Sequence, residues 1–110
     1  MQCLKLRKIK RQTNMSIYQR WKIVTNDNES FLRFECVETK KSNRPDLHAF
    51  LLLNELFPKN RDMVSGAGHD QIWLDVSEED IEKLSDENIL ELSRSGVFYD
   101  YESNALSMFV

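Results

Sequence analysis

Two helix starts in close succession constrain this chain more than any other feature. Ser77-Glu78-Glu79-Asp80 and Ser85-Asp86-Glu87 each place a serine hydroxyl where it can accept from an orphan amide. The acids that follow each serine suit the positive end of a helix. Gly96 is the matching stop, because the left-handed residue after a helix favours glycine. Between these signals Ile81, Leu84, Ile89, Leu90 and Leu92 recur at a spacing that turns them toward a core. The pattern predicts two short helices, or one with a kink, over residues 78–94.

Elsewhere the periodicity points to strands and one further helix. From 17 to 24, Ile17, Trp21 and Ile23 fall on one side of an extended chain and Arg20 and Lys22 on the other, which predicts a half-buried strand. Asn26-Asp27-Asn28 is turn chemistry, since Asn and Asp bond their own backbone and tolerate positive φ. Residues 31–37 alternate again, with Leu32, Phe34 and Cys36 inward, so the two runs read as a hairpin. Pro45 and Asp46 open a helix rich in leucine and phenylalanine, which Pro58 stops. Residues 59–70 read as a loop holding Ser65-Gly66-Ala67-Gly68, and residues 71–76 as a strand. After the helical pair come strands over 97–101 and 105–110 around a turn at Glu102-Ser103-Asn104. The order is β-β-α-β-α-α-β-β. It predicts an α+β fold with a mainly antiparallel sheet of about five strands and the helices on one face. Trp21, Phe34, Leu51 and Leu74 are the expected core.

The chain has 110 residues, of which 41% are hydrophobic and 30% charged, a composition that suits one globular domain able to bury its own core. Two cysteines, Cys3 and Cys36, do not make a disulfide scaffold, and Cys36 reads as a small buried thiol. Neither cysteine shares zinc-ligand spacing with His48 or His69. No segment approaches the apolar length of a membrane span, and no signal-peptide core is present, so the expectation is a cytoplasmic protein away from membranes.

Residues 1–14 differ from all that follows, with five basic residues and no acid. They read as a basic extension outside the native protein, with Met15 as the natural start. Lys10-Arg11 can be encoded by a purine run at ribosome-binding distance from Met15, as in a bacterial or phage gene. The competing reading is a basic arm for nucleic acid or an anionic surface. N-terminal sequencing of the natively expressed protein decides between them. Residues 15–110, read as a single α+β domain, then hold 10 basic and 18 acidic residues, a net charge of −8.

That acidity is concentrated. From Asp70 to Glu102 there are eleven acids against Lys83 and Arg94. Charge runs usually face solvent, and capping explains Glu78, Glu79, Asp80, Asp86 and Glu87. It does not explain Glu82 or Glu91, which come later in their turns. Glu79, Glu82, Glu87 and Glu91 are therefore the candidate partner-binding residues, suited to a basic protein surface. Trp21, Trp73, Phe98, Tyr99, Tyr101 and Phe109 stand beside acids rather than Lys or Arg, so direct nucleic-acid binding by residues 15–110 is not expected.

Catalytic signals are weaker. His69-Asp70, after a glycine-rich loop, is where a catalytic or metal pair could sit, with His48 as a distant third group. Ser65-Gly66-Ala67-Gly68 lacks the Gly-Lys-Ser/Thr ending of a phosphate loop, and no serine sits in a Gly-x-Ser-x-Gly turn. No cofactor motif is present. The sequence thus points to a small acidic, non-enzymatic binding or inhibitory module. It suits a phage or prophage accessory protein acting on a basic or nucleic-acid-binding protein. The alternative is a small metal-dependent enzyme using His69 and Asp70.

Overall fold

The computed structural model describes residues 15–110, so the basic extension 1–14 lies outside the described residues. The chain forms α1 (Ile17–Val24), a 3-10 turn (Phe34–Cys36), α2 (Pro45–Leu56), β1 (Val64–Gly68), β2 (Gln71–Leu74), α3 (Glu78–Glu82), α4 (Asp86–Arg94), β3 (Val97–Asp100) and β4 (Ala105–Phe109). The fold is α+β, as expected. Its sheet has four strands, all pairs antiparallel, in the order β1-β2-β4-β3. The expected five strands and the order β-β-α-β-α-α-β-β are corrected at three places.

The first run, 17–24, is a helix and not a strand. Ser16 and Gln19 form a full capping box, in which each side chain bonds the other's backbone amide at 3.1 Å. Trp21 and Val24 are buried, whereas Ile23, the residue expected inward, is 46% exposed. The second run, 31–37, makes turns instead of a strand. Asn26, Asp27 and Asn28 turn with positive φ as expected, and within the run Leu32 also has a positive φ of 58°, which an extended strand does not accommodate. The segment then closes as the 3-10 turn through bonds from Cys36 N to Arg33 O and from Val37 N to Phe34 O. Cys36 is buried but takes part in a disulfide, so the expected thiol is corrected too.

The third correction adds a strand. β1 lies inside the expected loop and pairs with β2 through a two-residue turn, His69-Asp70, whose φ values are 51° and 62°. Positive φ at both central positions is the primed hairpin geometry that matches strand twist.

From Glu78 onward the expectations of helix and strand type hold. Ser77 and Ser85 accept from the amides of Asp80 and Asn88, capping α3 and α4. The core joins one sheet face to the helices: Leu74, Val97, Leu106 and Met108 cluster with Trp21, Leu53, Ile81 and Leu92. Of the four expected core residues Trp21 and Leu74 are buried and Phe34 is half-buried, while Leu51 is 39% exposed. On α2 the buried positions are His48, Ala49, Leu52 and Leu53, so the helix is rotated from the expected phase.

Gly96 joins α4 to β3 with φ at +96°. A Cβ there would stand 2.8 Å from Leu32 Cδ2, but Leu32 is more than half exposed and can swing aside. Backbone strain is then the main penalty, and Gly96→Ala is expected to lose about 1–3 kcal/mol in urea unfolding. A loss below about 0.5 kcal/mol, the usual span of neutral surface changes, would mean this backbone is not strained.

Candidate functional site

The acids of the C-terminal half divide into those that hold the fold together and those that do not. Arg20, on α1, reaches across to the junction of α3 and α4. Its Nε and Nη2 donate to Asp86 Oδ1 at 3.2 and 2.8 Å, and Nη2 also donates to the Leu84 carbonyl. Lys59 lies within 4.0 Å of Asp75 and 3.8 Å of Asp80, and Arg61 grips Asp75 closely. The Arg61 hydrogen bond holds the Asp75 carboxyl below its ordinary value. Lys83 sits 3.9 Å from Glu79 and 3.8 Å from Asp80.

Glu78, Glu82 and Glu87 are different, being exposed and forming no ion pair among the described residues. Glu78 lies close enough to Tyr99 to help burial raise that phenol, burial being the larger cause. Tyr99 in turn packs near Trp21 of α1, with ring centroids 6.4 Å apart. On the same α1, Tyr18 packs against Tyr101 at 5.0 Å, and both rings are exposed. Lys22 stands 5.4 Å from the Tyr18 ring centre, a cation over a π face. This end of the molecule therefore combines unpaired carboxylates on α3 with an exposed tyrosine pair.

The four residues singled out from sequence do not share one environment. Glu82 and Glu87 are exposed without a charged partner, and Glu79 has Lys83. Glu91 faces inward, with Oε1 3.4 Å from Nε2 of the fully buried His48. Sequence reasoning missed Arg20 and the Tyr18–Tyr101 pair. The Ser16-x-x-Gln19 capping box was the signal that would have put Arg20 and Tyr18 on a helix.

The sheet face away from the core carries Gln71, Trp73, Phe98, Asp100, Ser107 and Phe109. Asp100 Oδ2 accepts from Trp73 Nε1 at 3.1 Å and Ser103 Oγ at 3.0 Å, and Oδ1 accepts from the Glu102 amide at 3.1 Å. Burial pushes this carboxyl up, but the donors together outweigh it and hold it below its ordinary value. Phe98 and Phe109 stack at 4.8 Å, and Phe31 folds over both edge-on. This network is satisfied within itself.

His69 and Asp70 are exposed and form the β1–β2 turn, where their positive φ gives them a backbone role. His48 is held elsewhere, its Nδ1 accepting from the Lys41 amide at 3.0 Å. Among the described residues no group of three or more His, Cys, Asp or Glu is placed to hold a metal ion, and no helix is long and apolar enough to cross a membrane. Comparison with protein-family models, with curated proteins and with solved structures finds no match for this chain.

Proposed function

We propose that this domain is a non-enzymatic binding or inhibitory module whose acidic α3–α4 surface docks a basic segment of a protein partner, such as a nucleic-acid-binding protein. The observation that carries the reading is that Glu78, Glu82 and Glu87 are exposed and form no ion pair among the described residues, in a stretch, residues 70–102, that holds eleven acids against Lys83 and Arg94. Like charges on neighbouring helical turns repel, so these acids are a small liability for folding that a basic partner would relieve. The exposed Tyr18 and Tyr101 add ring faces on which a guanidinium can stack. Glu79 and Glu91 belong at the margin of the surface, because Lys83 and His48 already face them. The reading extends to a phage or prophage accessory role, resting on the small size of the domain.

Location of charge, not its total, is what the proposal asserts. Reversing Glu78 and Glu82 to Lys should weaken binding of a poly-arginine peptide at least about fivefold more than reversing Glu35 and Asp62, a matched change in net charge. The difference should shrink as salt rises. Equal weakening by the two pairs in isothermal titration would show that net charge alone matters and defeat the proposal.

A further inference from the structure

We propose that His48 is an acid-sensitive latch that fastens the segment 38–43 over α2 when neutral and releases it when protonated. The imidazole is fully buried and stands between two groups of opposite demand. From the segment, the Lys41 amide donates to Nδ1 at 3.0 Å. This bond requires a lone pair on Nδ1, so the neutral ring carries its proton on Nε2. From α4, the Glu91 carboxylate stands 3.4 Å from Nε2, yet among the described residues Nε2 makes no hydrogen bond of proper geometry. Phe34 covers the ring edge-on at 5.6 Å.

Protonation places a second N–H on Nδ1, facing the Lys41 N–H. Two donors cannot share that contact, so one has to leave. The imidazolium gains attraction to Glu91, which stays put on α4, while the Lys41 amide can turn to water. Acid therefore favours the ring with Glu91 and the segment away. The segment is weakly held otherwise: among the described residues, no other hydrogen bond runs from the backbone of 38–43 to the rest of the fold. The surrounding charges are Arg94, near both Glu91 and Glu38, the Lys41–Glu55 ion pair, and Lys40 over the Phe34 ring. The first two would have to rearrange or stretch as the segment moves.

The test follows amide exchange at Lys41 and the His48 ring resonances by NMR from about pH 7.5 to about 5.5, the range in which histidines ordinarily titrate. Exchange at Lys41, corrected for its intrinsic pH dependence, should quicken about tenfold or more with the same midpoint as the ring, while core amides such as Leu92 stay protected. In His48→Asn, which keeps an acceptor near the Nδ1 position but cannot titrate, this quickening should vanish. Should that variant fail to fold, Glu91→Gln serves instead and should move both midpoints to lower pH. Unchanged protection of Lys41 across the His48 titration would overturn the latch, as would identical midpoints in Glu91→Gln and the parent. A ring that titrates only as the core amides open would overturn it too.

Discussion

Replacing Trp21 by alanine is expected to destabilise the domain by about 3–5 kcal/mol, the largest loss of any single side chain on α1. A domain of this size is ordinarily stable by about 5–15 kcal/mol, so the variant should be partly or wholly unfolded at ambient temperature. Trp21 is 2% exposed and is packed in the core beside Leu53, Ile81 and Leu92, with the Tyr99 ring close by. Its removal opens a cavity where helices and sheet meet. A second substitution separates packing from polarity, because the indole N–H is buried with no acceptor among the described residues. Trp21→Phe keeps much of the ring and removes that orphan donor, whose burial is itself unfavourable. Its net loss should stay below about 1.5 kcal/mol. Denaturant unfolding of both variants checks the pair. Equal losses would mean that Trp21 is held by its nitrogen and not by its rings.

Trp21 also shows where sequence patterning divides. Ile17 and Trp21 are four apart, a spacing that satisfies both the period of a strand and that of a helix. Position 23 favours the strand reading and position 24 the helix. The fold chose Val24, buried at 8%, and left Ile23 at 46%. Ser16 and Gln19 settled the matter by satisfying two orphan backbone donors, a local gain with no strand counterpart. The run 31–37 misled for another reason. Its alternation of side chains is real, but Thr25 and Ser30 are buried polar anchors, and Ser30 Oγ lies 2.8 Å from Ser93 Oγ on α4. That tertiary tie keeps the chain turning where alternation alone would extend it.

β1 was hidden by composition, since Val-Ser-Gly-Ala-Gly offers little that resembles a strand and earns its place by pairing with β2. The same pairing recasts His69 and Asp70 as turn residues. Helices α3 and α4 were legible because their caps are local, within three residues of the groups they satisfy. The acids of the candidate site were legible as exposed charge, but their partners were not. Lys59 and Arg61 arrive from the loop after α2 and Arg20 from α1, and no local pattern announces which carboxylate each will meet.

Arg20→Ala is expected to cost about 2–3 kcal/mol, a value between the small worth of an exposed ion pair and the larger penalty for breaking a buried one. The intermediate value follows from exposure, the Arg20 and Asp86 side chains being 12% and 25% accessible. One guanidinium serves two purposes here. It pairs with Asp86 in the first turn of α4 and also donates to the Leu84 carbonyl just after α3, so its loss leaves a carboxylate and a carbonyl without their donor. Lysine should not rescue the site, because a single ammonium cannot span both acceptors as the planar fork does. A double-mutant cycle with Asp86→Asn should give a coupling of about 1–2 kcal/mol, the remainder belonging to the carbonyl. The cycle also bears on function, since Arg20 ties α1, and with it Tyr18, to the acidic pair of helices. Loosening it should weaken poly-arginine binding even though a positive charge has been removed from the domain, opposite to what net charge predicts. If Arg20→Ala loses less than about 0.5 kcal/mol and binds the peptide more tightly, α1 is not held by this contact and the tyrosine pair has no part in the surface.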